Sequence, residues 1–191
     1  VKEVRPLRID YIIENVNALV EKCGTRDPQE ICRQMQIYIH YHDLQQKLKG
    51  YYFYHSRIHN IVIDSNIIDV FHNVLIAHEL GHYRLHQDIA MMKGFQEVDV
   101  LQERKDTPTE YEANLFAAEL LLEDDAVLEL LQEHTFFETA GILHVPAALL
   151  DFKFALLHAK GYSLNMQHYS KSDFLKNDIG AYDERNSIIY H

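Results

Sequence analysis

Any fold that this chain adopts must accommodate the segment VLIAHELGHYRLH, residues 74–86, in which histidines and a glutamate interrupt an apolar run. Hydrophobic positions over residues 67–86 follow the i, i+3, i+4 spacing that predicts an amphipathic helix. Residues four apart lie on one face of such a helix. His78 and His82 can therefore present two imidazole nitrogens to the same point in space.

The spacing H-E-x-x-H at residues 78–82 is typical of zinc hydrolases, which combine two neutral histidine ligands, an open coordination position and a nearby base. On a helical wheel Glu79 lies about 60° from His82, so its carboxylate can reach water beside the metal without ligating the ion. The alternative is a helix without a metal site, since a chain with 13 histidines also produces this spacing by chance. We expect His78 and His82 to bind Zn2+ or another divalent metal, because such ligand sets overlap.

His86 continues the face of the two candidate ligands. Two turns of straight helix would separate it from His78 by about 12 Å, too far for a shared ion with bonds near 2 Å. We therefore expect His86 to be structural or to support a ligating histidine through a hydrogen bond.

The segment TPTEYEANLFAAELL, residues 107–121, offers two candidates for the third ligand, Glu110 and Glu112. Each also fits a capping box, with Thr107 and Thr109 as the respective partners. A capping role for either glutamate is therefore an alternative to metal binding.

A helical wheel separates these two glutamates. Glu112, Glu119 and Glu123 gather on one side, which we expect to be largely exposed to solvent. Glu110 lies on another stripe, whose alanines, together with Gly81 on the histidine helix, would allow a close approach of the two backbones. The other members of this stripe are Ala113, Asn114, Ala117 and Leu121. We favour Glu110 as the third ligand and keep Glu112 as the alternative.

Asn114 stands one helical turn after Glu110. At this position its side chain can hydrogen-bond a ligating histidine and orient the ring.

The other segments predict an α+β fold with a small antiparallel sheet. Strand-like alternation is confined to two segments, and helical spacing with capping and stop signals accounts for most of the remainder. The strands lie within residues 37–44 and 50–66. Besides the histidine helix, the helices lie within residues 7–24, 26–35, 107–131 and 136–162, the last split into two at Val145-Pro146.

The net charge of -11, without a cluster of lysine and arginine, argues against direct binding of nucleic acid. No apolar run approaches the roughly 20 residues of a membrane span, and the start VKEVRPLRID lacks the apolar segment of a signal peptide. Cys23 and Cys32 have no metal-type spacing, which favours two free thiols in a reducing compartment. We expect a cytoplasmic protein that contacts neither nucleic acid nor membrane.

With these residues in place, the chain resembles the ImmA/IrrE family of metallopeptidases. The segments HELGHYRLH at 78–86 and EYEANLFAAELL at 110–121 carry the resemblance, which extends over residues 25–162. It implies a zincin-like fold, in which a small sheet packs on the H-E-x-x-H helix and the next long helix supplies a glutamate. It also implies His78 and His82 as zinc ligands and Glu79 as the general base. Glu110 occupies the first position of the E-x-x-A-N pattern of the family.

The resemblance further implies a function and a division of the chain. Similar proteins from prophages, mobile elements and stress systems cleave helix-turn-helix repressors, so we expect a zinc endopeptidase with such a substrate. The alternative is an anti-repressor that binds without cleaving and uses its metal only structurally. We expect a zincin-like core at residues 1–134, a small helical, helix-turn-helix-like segment at 135–162 and a tail at 163–191.

Overall fold

The computed structural model describes residues 9–45, 48–88 and 107–162. The predicted tail at 163–191 lies outside these residues. The described chain contains helices α1 to α7, strands β1 to β3 and a short 3-10 turn before α3. In chain order these are α1 Ile9–Cys23, α2 Pro28–Gln34, β1 Ile37–His42, β2 Gly50–His55, β3 Ile58–Asp64, the 3-10 turn Asp69–Phe71, α3 His72–Leu85, α4 Pro108–Leu121, α5 Asp124–Glu133, α6 Phe136–Ile142 and α7 Ala147–Ala159.

Local signals in the sequence set several helix ends. The Asp27 side chain accepts a hydrogen bond from the backbone N–H of Gln29 at 3.0 Å, and Pro28 occupies the first turn of α2. Gly24 follows α1 with a φ of 67°, a left-handed conformation that glycine adopts without the steric cost of a Cβ. The split of the 136–162 segment at Val145-Pro146 is also confirmed.

The three strands form one sheet in the order β1-β3-β2. β2 and β3 are antiparallel, as the hairpin signal predicts, but β1 and β3 are parallel. The expectation of a wholly antiparallel sheet is therefore wrong for this pair. β3 lies in the centre of the sheet, and its last four residues, Ile61 to Asp64, are buried, whereas β1 is mostly exposed beyond Ile37.

Two predicted helices differ in extent from the sequence prediction. The histidine helix begins at His72, after a 3-10 turn, and not at residue 67. The long helix predicted over residues 107–131 is divided, since α4 ends at Leu121 and α5 starts at Asp124. At this break Arg26 donates hydrogen bonds to the backbone oxygens of the last turn of α4, those of Glu119 and Leu120 at 2.9 and 3.2 Å.

The same break contains a buried ion network that corrects a second expectation. The α4 face with Glu119 was expected to be solvated, but the Glu119 residue is 3% exposed because α7 covers it. Its carboxylate accepts hydrogen bonds from Lys153 at 2.8 Å and from Lys160 at 2.7 Å, and both lysines also pair with Asp124. Four charged groups from three segments thus tie α7 to the end of α4.

Removing Glu119 should destabilise the protein more than removing Lys153. In Glu119→Ala the buried Lys153 ammonium, 1% exposed, loses Glu119 and keeps its pair with Asp124. Breaking a buried ion pair costs about 3–5 kcal/mol, which is the upper limit for this variant because Asp124 remains. Lys153→Met instead leaves Glu119 paired with Lys160 and fills the space with an apolar chain. Urea unfolding measures both free energies, and equal losses in the two variants would contradict this account.

The core forms around α3, which packs against the sheet on one side and most extensively against α4 on the other. The hydrophobic core continues into the 135–162 segment through α7, which packs against α4 and α6 and contributes its apolar residues to the same buried cluster. This arrangement confirms the α+β, zincin-like fold class. The division of the chain at residue 134 stays a prediction.

Within the described ranges, no helix taken alone has both the length and the apolar character to cross a membrane. The pair α6 and α7 meets that test only together, and it bends by 108° between them.

Candidate metal centre

The polar residues of the H-E-x-x-H motif lie in the interior of the protein. His78, Glu79 and His82 are all buried, because α3 lies between the sheet and α4. Burying polar groups costs free energy unless other polar groups or a metal satisfy them. The groups that contact these side chains therefore indicate whether a metal can bind here.

Three side chains converge between α3 and α4. Nε2 of His78 lies 3.2 Å from Oε2 of Glu110, and Nε2 of His82 lies 3.3 Å from Oε1 of the same carboxylate. The two Nε2 atoms are 3.2 Å apart. The structure thus brings together the two histidines and the glutamate that the sequence analysis favoured. Each of the three residues offers one atom that can bind a metal, and among the described residues these three atoms all lie within 4.8 Å of one another.

These distances fit a tetrahedral metal. Zinc bonds of about 2.0–2.1 Å at tetrahedral angles place neighbouring ligand atoms about 3.3 Å apart. The 3.2 Å between the two Nε2 atoms matches that edge length, and each Nε2 lies 3.2 to 3.3 Å from a different oxygen of the Glu110 carboxylate. Two imidazole nitrogens and a carboxylate oxygen are also a donor set that zinc accepts, so the residues present fit the ion that the motif implies.

The carboxylate of Glu110 is in the form that a metal requires. Burial raises its pKa, but hydrogen bonds and charge from His78 and His82 lower it by more, so the net pKa lies well below the ordinary value for glutamate. Glu110 is consequently ionised at neutral pH, and metal ligands must be deprotonated at the bonding atom.

Asn114 and His86 each contact the far side of a candidate ligand. Oδ1 of Asn114 lies 2.7 Å from Nδ1 of His78, and Nδ1 of His86 lies 3.2 Å from Nδ1 of His82. Both residues are thus placed for the supporting role that the sequence analysis predicted, although that role stays a prediction.

Glu112, the alternative third ligand, does not point at the pair of histidines on α3. Its Oε2 lies 2.8 Å from Nε2 of His86, and its side chain is 21% exposed. The expectation of a solvated face is wrong here too. The contact between Glu112 and His86 was missed in the sequence analysis, although the i, i+4 spacing of His82 and His86 was a signal that the two rings share a face.

The Glu79 carboxylate lies beside the first residue of β2. A Cβ built on Gly50, the first residue of β2, would stand 3.5 Å from Oε1 of Glu79 and only 3.0 Å from the backbone oxygen of Val62. Glycine at this position therefore allows β2 to approach the backbone of β3 closely, with the Glu79 carboxylate at ordinary contact distance. β2 is the last strand of the described sheet on this side.

Gly81 allows the close approach of α3 and α4 that the sequence analysis expected. A Cβ at this position would lie 3.0 Å from Cα and 3.2 Å from the backbone oxygen of Ala113, and 3.2 Å from Cβ of Phe116. Backbone atoms on a packed helix cannot move aside independently. The distance between Glu110 and the histidines thus depends on a glycine on α3.

Gly81→Ala should weaken both the fold and the metal site. Overpacking costs about 1–3 kcal/mol, opposed by the roughly 1 kcal/mol that alanine gains over glycine in a helix. We expect a net loss in the free energy of unfolding, and weaker zinc binding because α4 carries Glu110 away from α3. Urea unfolding and a chelator competition titration measure the two effects. A variant as stable as the wild type, with unchanged zinc affinity, would show that the contact is not limiting.

The cysteines do not offer a competing catalytic group. Cys32 is completely buried, and desolvation, followed by the negative charge of Asp27, raises the pKa of its thiol to about 12. The thiolate is the nucleophilic form, and it is therefore scarce at neutral pH. Cys23 is half-buried, and neither cysteine takes part in a disulfide.

Comparison with known proteins agrees with this geometry. The family model Peptidase_M78, described as the IrrE N-terminal-like domain, matches residues 32–143. Metallopeptidase ImmA of Bacillus subtilis (strain 168) is 32% identical over 150 residues, covering 74% of this chain and 83% of the relative. The chain belongs to the ImmA/IrrE family of metallopeptidases.

A second relative of this ImmA/IrrE member comes from a virus. Uncharacterized immunity region protein 2 of Bacillus phage phi105 is 34% identical over 139 residues, which cover 72% of this chain and 85% of the relative. The family model includes α3 and α4, so the match spans the whole candidate centre. Membership in a metallopeptidase family implies a divalent metal, and the cluster between α3 and α4 is the place in the described chain that fits one.

Proposed function

We propose that this protein is a zinc endopeptidase that cleaves a helix-turn-helix transcriptional repressor of a prophage, mobile element or stress regulon. The observation that carries the proposal is the convergence of His78, His82 and Glu110, whose ligating atoms all lie within 4.8 Å of one another. In this proposal the three side chains hold the metal and Glu79 acts beside it. The expected cytoplasmic location belongs to the same proposal, because repressors act there.

The chemistry follows from the roles of these side chains. A zinc ion held by them would supply a Lewis acid for the peptide carbonyl and lower the pKa of water to about 7. The Glu79 carboxylate takes the proton of the attacking water and later passes it to the leaving amine. Its burial keeps bulk water away from this proton transfer.

We propose that the substrate reaches Glu79 beside the start of β2, where Gly50 adjoins the Glu79 carboxylate. A segment of the repressor in an extended conformation would then pass the candidate metal centre with its scissile bond close to Glu79.

Two comparisons support a repressor as the substrate. One relative is named as a metallopeptidase and the other as an immunity region protein of a phage. The family resemblance implies helix-turn-helix repressors as targets, and the net charge of -11 disfavours direct action on DNA. Together these favour control of a regulator by proteolysis.

Co-expression with the helix-turn-helix regulator encoded beside this protein tests the proposal. We expect intact repressor to disappear with the wild type and to persist with Glu79→Gln, and mass spectrometry of the fragments would give the scissile bond. A stable complex with uncut repressor would favour the non-cleaving anti-repressor instead. Elemental analysis of the purified protein identifies the metal, and a protein purified without stoichiometric divalent metal would contradict the zinc assignment.

A further inference from the structure

A chain of three side chains runs from the surface to the candidate metal centre. Oε2 of Glu112 lies 2.8 Å from Nε2 of His86, and Nδ1 of His86 lies 3.2 Å from Nδ1 of His82. The remaining nitrogen of His82, Nε2, points to His78 and Glu110. Glu110 and Glu112 belong to the same turn of α4, but the Glu110 carboxylate contacts the two candidate ligands, whereas the Glu112 carboxylate contacts His86.

When a metal is bound, only one placement of the ring protons lets Glu112, His86 and His82 all form these hydrogen bonds. An ionised carboxylate can only accept, so Glu112 requires the proton of His86 on Nε2. A neutral His86 then has an acceptor at Nδ1, which requires His82 to donate from its own Nδ1. His82 consequently presents the lone pair of Nε2, the form in which histidine ligates a metal.

We propose that Glu112 and His86 are positioning residues, a relay that selects the metal-binding tautomer of His82 and holds its ring toward Glu110. This inference rests on the proposed zinc site, and to the supporting role already expected of His86 it adds Glu112 and the direction of the hydrogen bonds. The relay also explains why α4 carries two glutamates in one turn, since Glu110 binds and Glu112 orients.

Burial makes the relay effective. The His86 side chain is 8% exposed and the His82 side chain 9%, so little water competes for their ring nitrogens. The other ligating histidine receives the matching support from a neutral partner, since Oδ1 of Asn114 accepts from Nδ1 of His78 at 2.7 Å. The two rings thus have one orienting acceptor each, an amide for His78 and a carboxylate acting through a second imidazole for His82.

The zinc affinity of purified, metal-stripped protein tests the relay independently of cleavage. Removing a group that orients a metal ligand typically costs 10–100-fold in affinity. We expect Glu112→Ala and His86→Phe to weaken zinc binding by about that factor in a chelator competition titration. Glu112→Gln keeps an oxygen acceptor of the same reach, and we expect it to retain more affinity than Glu112→Ala.

A matched control removes another carboxylate that pairs with a histidine, here one at the start of α3. Asp69 lies 3.7 Å from His72 at the start of α3, far along the helix from His82, and Asp69→Ala should leave zinc affinity unchanged. Melting curves of the metal-stripped variants separate loss of orientation from loss of folding. If Glu112→Ala melts like the wild type and binds zinc equally well, the relay is wrong.

Nitrogen-15 NMR of the zinc-loaded wild type tests the direction of the relay. We expect a neutral His86 ring with its proton on Nε2 and an acceptor at Nδ1. A proton on Nδ1 of His86 would overturn the inference. These outcomes are distinct from failure of the proposed function, because a wild type that binds zinc and cuts no repressor leaves the relay intact, whereas a wild type that binds no zinc removes the basis of both.

Discussion

Replacing Glu79 by glutamine is expected to lower the rate of repressor cleavage by about 10²–10⁴-fold, the usual contribution of a positioned general acid–base group. Glutamine has nearly the same shape as glutamate, but its amide cannot take a proton from water. Glu79 is not part of the group whose ligating atoms converge in the described structure, so the metal should stay bound. The rate of fragment formation measures the loss of cleavage, and the zinc content of the same preparation shows whether the metal stays bound.

A change of the same kind elsewhere serves as the control. Glu129 lies exposed on α5, and Glu129→Gln removes one negative charge without touching the site, so its rate should equal that of the wild type. If Glu79→Gln still cuts at the wild-type rate, the role assigned to Glu79 is wrong. If the Glu79→Gln variant is purified without zinc, Glu79 also helps to bind the metal, contrary to the role assigned to it.

His82→Ala is expected to remove both the metal and the activity. The substitution deletes one of three ligating atoms and also ends the contact with His86, leaving His78 and Glu110 to hold the ion. Loss of a direct ligand should weaken zinc binding by more than the 10–100-fold that supporting residues cost. Chelator competition measures the affinity, and circular dichroism of the metal-stripped protein verifies that the variant folds.

The control for this variant is a histidine outside the site. His158 is exposed on α7, and His158→Ala should bind zinc with wild-type affinity. Should His82→Ala instead retain full zinc occupancy, the ligand assignment is contradicted, and the histidines of α3 would be packing residues. The corresponding change at His82 to glutamine keeps most of the side-chain volume and should also lose the metal, which separates ligation from packing.

Much of the candidate site could be predicted because helix geometry is local. The spacing of His78 and His82 places both rings on one face of any helix that contains them. Glu110 and Asn114 share a stripe of α4 for the same reason, and the structure directs both toward His78. The small residues Gly81 and Ala113 also indicated where the two helices approach, since only small side chains permit backbones at that distance.

The wrong predictions about packing concern contacts between segments distant in the chain. The face of α4 with Glu119 was expected to be solvated, because glutamates on a helix wheel carry no sign of what will pack on them. Lys153, which buries Glu119, stands 34 residues further on. The parallel pairing of β1 with β3 was likewise not predicted, since alternation of side chains defines a strand but not its neighbour.

By itself, the sequence determined most of the helices and strands, the face on which the motif histidines lie, and the preference for Glu110, because each follows mainly from periodicity within a segment. It did not determine where α3 begins or that the helix predicted over 107–131 divides after Leu121. Only the tertiary structure decided that Glu112 would stand behind His86, that Glu79 would face Gly50, and that α7 would cover the end of α4. These arrangements depend on how separate segments pack. Packing is set by the shapes and charges of both partners together, so neither segment contains enough information to specify it alone.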